Sequence, residues 1–181
     1  MTEDKFLSLS EVDTDYSEKS HELVTEWAEH YSELFLKSPS AKFLSLSEKD
    51  NVYFIISSLA ELAYSYHLQK PKQWNTIMLT DVCTEIMPRK ISAEPGFFKD
   101  IVPVLTSFFA WGENNGYLLK TNPLRKRLKK IKDDIIANAS NPECWGMTKS
   151  LFGGALDAGI DVENKDELTS FLNEKLKDKL H

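Results

Sequence analysis

Apolar residues return along most of this chain every three to four positions, the period of a helix, and the alternating pattern of a strand is almost absent. From Ser17 to Lys37, the residues Leu23, Trp27, Tyr31 and Leu34 with Phe35 fall on one stripe that needs a partner surface. Pro39, between two serines, ends it. A second helix is predicted from Ser47, capped by its hydroxyl with Asp50 three residues later completing a box. Its core face is Val52, Ile55, Ile56, Leu59, Leu62, Ala63 and Tyr66, broad enough for two neighbours.

Lys70-Pro71-Lys72 closes that helix, and Trp74 precedes a shorter one at 80–86. The shorter helix should stop at Met87-Pro88, because the residue before a proline is pushed out of the α region. Ser92 caps a further turn, and Pro103 suits the first position of a helix running to about Asn115, with Gly116 as its left-handed end. Val104, Leu105, Phe108, Phe109 and Trp111 mark it as a core element. Asn122-Pro123 launches a helix to about Ala139, and Asn141-Pro142 another, ended by Gly159. Asn164 or Asp161 caps a last helix with Leu168, Phe171, Leu172 and Leu176 inward. The pattern predicts an all-α bundle of about six or seven helices, mostly antiparallel neighbours. Residues 1–72 are read as a helical pair or extension and 73–181 as a helical domain. The heptapeptide KFLSLSE occurs twice, at 5–11 and 42–48, and reads as two similar helix entries rather than a repeat architecture.

The stretch ECWGMTKSLFGGALDAG, 143–159, raises the question of a phosphate-binding loop. That loop needs glycines six and one residues before its Lys, which a Ser or Thr follows, after a buried strand. For Lys149-Ser150 those positions are Glu143 plus Thr148, so the motif fails. On a helix, Gly146, Ser150, Gly154 and Ala158 recur every four residues as a small-residue ridge for close helix approach. On this reading Gly154→Leu disrupts packing and Lys149→Ala is nearly neutral.

With 181 residues, 41% of them hydrophobic and only 7 Gly and 7 Pro, the chain can bury a core without staples. Cys83 and Cys144 are far apart with no paired spacing, which points to a reducing, cytoplasmic setting and to two buried small hydrophobes. The acidic first twenty residues lack the pattern of a secretory signal, and the most apolar run, 52–64, is too short and interrupted to span a membrane.

The formal net charge is −6, unevenly distributed. Residues 1–50 hold twelve acidic groups against five lysines, whereas 124–132 hold six basic groups and no acid. Arg125, Lys126, Arg127, Lys129, Lys130 and Lys132 surround the apolar line Leu124, Leu128, Ile131 and Ile135, a candidate surface for an anionic partner that Arg89 and Lys90 could extend. Glu18, Glu22, Glu26, Glu29 and Glu33 form the mirror feature on the first helix, a candidate acidic partner face. Glu18-x-x-His21 is half of a di-iron pattern whose other half is missing, and His21-Glu22 lacks the second histidine of a zinc-protease motif, Thr25 standing in its place. No nucleophile motif is present, so no catalytic residue, metal ligand or cofactor site is assigned. The four tryptophans read as core anchors.

From Trp74 onward the order Trp74, Asp81-Val82, Pro88-Arg89-Lys90-Ile91-Ser92, Pro103 to Phe109, Trp145-Gly146, Lys149-Ser150-Leu151 and Gly159 resembles an uncharacterised all-helical bacterial domain. That domain occurs in hypothetical proteins that sometimes carry a SEC-C zinc motif. The resemblance covers about the last 108 residues and implies a helical fold. The SEC-C cysteines are absent, so no metal role is implied. The expected function is a non-catalytic cytoplasmic protein-interaction module, binding a protein partner or a second copy. Polyanion binding through 124–132, nucleic acid included though not favoured, and an enzyme site invisible to sequence spacing stand as alternatives.

Overall fold

A computed structural model describes residue 9 and residues 15–161 and 164–179. Among these there is no strand, and helices pack on helices. The first helix, α1 (Glu18–Lys37), is capped by Ser17, whose hydroxyl accepts from the Ser20 N–H, and it buries Leu23, Trp27, Tyr31 and Phe35 as the stripe predicts. Leu34 is only half-buried.

α2 (Leu46–His67) starts earlier than expected. Its cap is Ser45, which accepts from the Glu48 N–H while the Glu48 carboxylate accepts from the Ser45 N–H. Ser47 instead donates to Asp100. The box therefore lies inside the second copy of the repeated heptapeptide; the first copy, apart from Leu9, lies outside the described residues. On the core face Val52, Ile55, Ile56, Leu59 and Ala63 are buried, but Tyr66 is exposed and Tyr64 takes its place. The Tyr64 hydroxyl accepts from the Ser17 N–H at 3.2 Å, so the end of α2 meets the start of α1 and the pair is antiparallel.

The helix expected at 80–86 is longer, and we label the whole of it α3. It consists of Thr76–Asp81, a π-helical segment Val82–Ile86 and Met87–Lys90. Asn75 caps it through the Ile77 and Met78 N–H groups. The helix passes through Met87-Pro88 because the wider π turn absorbs the proline. The Thr84 carbonyl, which an N–H at position 88 would have approached, accepts from the Asn138 side chain at 2.7 Å instead.

α4 (Pro95–Asn114) also starts earlier than predicted, at Pro95, and carries Pro103 in its interior. Phe97, Phe98, Ile101, Val104, Leu105, Phe108, Phe109 and Trp111 are buried along it. Gly116, at φ 77°, follows as the expected left-handed turn. α5 (Asn122–Ser140) buries Leu124, Leu128, Ile131 and Ile135. Thr121 rather than Asn122 is its cap residue, and its hydroxyl lies 2.6 Å from the Glu113 carboxylate and 3.2 Å from the Phe109 carbonyl, joining the start of α5 to the end of α4.

Asn141-Pro142 opens only a 3-10 turn, Pro142–Cys144, and α6 (Met147–Asp157) begins after it with Gly146 as cap. Gly159, at φ 72°, ends α6. Asn164 caps α7 (Lys165–Lys179) by accepting from the Asp166 and Glu167 N–H groups.

α1 packs on α2, α2 on α4 and α4 on α5. Aromatic rings fill the space between them: Trp27 meets Trp74 and Phe108, Phe35 meets Phe108 and Trp111, and Tyr31 meets Tyr117. The continuous core runs from Leu9 to Ala139 and crosses residue 72. α7 packs chiefly on α6.

Candidate functional site

α6 is held against the body by three polar contacts close to its start. The Gly146 N–H donates to the Arg89 carbonyl at 3.1 Å, and a Cβ at Gly146 would lie 3.0 Å from that oxygen, so a side chain there would crowd the chain end of α3. The Trp145 indole N–H donates to the Ala139 carbonyl at 2.9 Å. Lys149, one turn into α6, sends its ammonium back to the Pro88 carbonyl at 2.7 Å.

Lys149 is 8% exposed. Its Nζ lies 5.0 Å from the centre of the Phe98 ring and 4.9 Å from that of Trp145, a two-sided cation–π arrangement. Burial pulls its pKa below the ordinary lysine value. None of the ion pairs among the described residues includes it. This burial and bonding bear against the expectation that Lys149→Ala is nearly neutral. The small-residue ridge is also corrected: Gly146 lies outside the helix, and a Cβ at Gly154 would meet only the Phe171 ring at 3.8 Å, an ordinary contact. The tight position is Gly153, where a Cβ would lie 3.1 Å from Trp145.

Between α6 and the body is a pocket of about 610 Å³. Phe98 from α4, Ile136 and Ala139 from α5, and Trp145 and Leu156 line it with apolar surface, and Lys149 is among its lining residues. Ser92, Glu94 and Ser140 add polar groups, all three exposed. The first turn of α4 borders it at Pro95, and the Glu94 side chain does not cap that turn. Sequence reasoning assigned none of this: Trp145, read as a core anchor, is a half-buried pocket wall, while Trp27, Trp74 and Trp111 are buried.

The charged faces are also resolved. Lys126, Arg127, Lys129, Lys130 and Lys132 are exposed on α5. Arg125 is half-buried and reaches Glu113 at 3.3 Å. The Glu113 carboxyl is held below its usual range first by the Thr121 hydroxyl and then by Arg125. Arg89 and Lys90 end α3, which meets α5 near Asn138. Asn138 is six positions from Lys132, the nearest exposed cation of the cluster, with the exposed Asp133 and Asp134 between them. On α1, Glu18, Glu22, Glu26, Glu29 and Glu33 are exposed, and three of them border a shallow groove with His30 and Tyr53. Glu33 pairs with Lys37, whose ammonium lowers the carboxyl pKa.

Cys83 is fully buried, and burial pushes its thiol pKa up to about 12, which keeps it protonated and unreactive. Cys144 is half-buried rather than buried. His67 Nε2 and Asp81 Oδ2, 2.8 Å apart, link α2 to α3, a pair that sequence spacing did not reveal. Among the described residues no three His, Cys, Asp or Glu side chains converge on a point, and no helix is long and apolar enough to cross a membrane. Compared with known families, curated proteins and solved structures, the chain matches none.

Proposed function

We propose that the protein is a non-catalytic binding module that takes an apolar ligand group in the pocket beneath α6. The observation that carries this reading is the pocket itself: about 610 Å³, mainly apolar walls and one buried cation. That volume falls within the range of small-molecule sites, roughly 300–1,000 Å³. No hydrogen bond joins a nucleophile to a base among the lining residues, so the arrangement suits retention of a ligand better than its conversion. The two unpaired thiols suit a reducing cytoplasm. The test uses the uncharged fluorophore N-phenyl-1-naphthylamine. It should bind one-to-one, and Ile136→Trp, which fills the pocket, should abolish binding; absence of binding, or binding that survives the substitution, rejects the reading.

A second reading, polyanion binding, is favoured by the five exposed cations of α5. It requires an affinity for nucleic acid that falls log-linearly with salt and is lost on Lys129/Lys130 charge reversal. Self-association through charge would pair the acidic face of α1 with the basic face of α5. In a two-fold dimer each copy would offer its α1 face to the α5 face of the other. Light scattering that shows growth with concentration at low salt would support it.

A further inference from the structure

We infer that the pocket beneath α6 accepts a free monocarboxylic acid with an apolar tail, its carboxylate meeting the Lys149 ammonium and its tail lying along Phe98, Ile136, Trp145 and Leu156. The inference rests on the binding-module reading and names the ligand class for the same site.

An ammonium has three N–H donors, and Lys149 commits one of them, to the Pro88 carbonyl. The Phe98 and Trp145 rings lie beside it, but a ring face is a weaker partner than an anionic oxygen. Holding an ammonium under the surface without a counter-ion is unfavourable, and a ligand carboxylate would supply that counter-ion. The apolar walls keep the local dielectric low, which strengthens such a contact relative to water. The first turn of α4 borders the same pocket, and the positive end of its dipole is left uncapped by the Glu94 side chain.

One buried cation matches one negative charge. A phosphate or a dicarboxylate would bring a second charge toward the exposed Glu94 at the rim, which disfavours it. The walls also favour a free acid over the end of a peptide chain. A chain terminus carries backbone N–H and C=O groups that need partners. Here only Ser92, Ser140 and Glu94 offer polar side chains besides Lys149.

Isothermal titration of the full chain with decanoate, decan-1-ol and a leucine-terminated hexapeptide decides the matter. Decanoate should bind one-to-one and at least about tenfold more tightly than decanol, the discrimination expected of a hydrogen bond to a charged group. Lys149→Met, which keeps an apolar stem and removes the charge, should bring decanoate to the level of decanol and leave decanol unchanged. Ile136→Trp should abolish both. Equal binding of decanoate and decanol overturns the inference, as does failure of decanoate while N-phenyl-1-naphthylamine binds; in both cases the pocket reading stands. Tighter binding of the hexapeptide than of decanoate also overturns it, making a chain end the occupant. Loss of every probe, the neutral fluorophore included, removes the pocket reading as well. The wild-type comparison settles the point even where Lys149→Met fails to fold.

Discussion

Lys149 carries a charge into a place where its neighbours are two aromatic rings and one carbonyl. Removing the side chain forfeits a charge-assisted hydrogen bond and the packing of the stem, and it relieves the burial of an ammonium. Because the bond leaves Pro88 C=O without its partner, the loss should win, by about 1–2 kcal/mol for Lys149→Ala in urea unfolding. The pH dependence has a definite sign. With its folded pKa below the unfolded 10.5, the unfolded chain holds more protons between the two values, so stability rises with pH through that window. Below the folded pKa the burial cost is fully present. The stability difference between the wild type and Lys149→Met should therefore shift toward the wild type as pH approaches 10.5 from below. A pH-independent difference would refute it. None of this could be read from the sequence, because the acceptor is 61 positions away and a lysine on a helix ordinarily reads as solvated. The repeated heptapeptide makes the same point: Leu9 is 5% exposed and its counterpart Leu46 is 81% exposed, although their local sequences are identical.

Helix faces were legible where burial follows the 3.6-residue period, as on α1 and α5, since Leu23, Trp27, Tyr31, Leu124, Leu128 and Ile131 recur with no need of outside information. Helix ends at prolines were not. Pro88 and Pro103 both sit within continuous helix, and what decides their tolerance is the fate of the carbonyl each leaves without a donor. For Pro88 that carbonyl is Thr84, and its donor is Asn138 on α5. Asn138→Ala should cost about 1–3 kcal/mol, the penalty of a buried acceptor left unpaired, measured by thermal or urea unfolding. A neutral substitution would show that water replaces the amide. Glycine positions separate in the same way. Gly146→Ala should destabilise, because its Cβ would lie 3.0 Å from a backbone oxygen. Gly154→Ala has room beside Phe171 and gains helix propensity, so it should be neutral or stabilising by up to about 1 kcal/mol.

Among the described residues, the core that joins α1 through α5 includes none from α6 or α7. α6 is attached by the contacts of Gly146, Trp145 and Lys149. α7 leans on α6 with Leu168, Phe171 and Leu172 only half-buried. Few buried apolar contacts among the described residues of these two helices point to a small free energy for local opening, so the hairpin should detach without unfolding the rest. Native-state hydrogen exchange should show α6 and α7 amides exchanging well before those of α2 and α4. The pocket lies on this seam, with one wall on the hairpin and the other on the core, and its occupant would bridge the two. Decanoate should therefore slow exchange in α6 and leave α2 and α4 unchanged, because a ligand that binds only the closed form stabilises only the opening it opposes. Lys149→Met should speed exchange in the hairpin, leave α2 and α4 unchanged, and cancel most of that protection. Uniform exchange across all the helices would mean that the hairpin and core open as one unit, and the pocket could then not serve as a seam that a ligand closes.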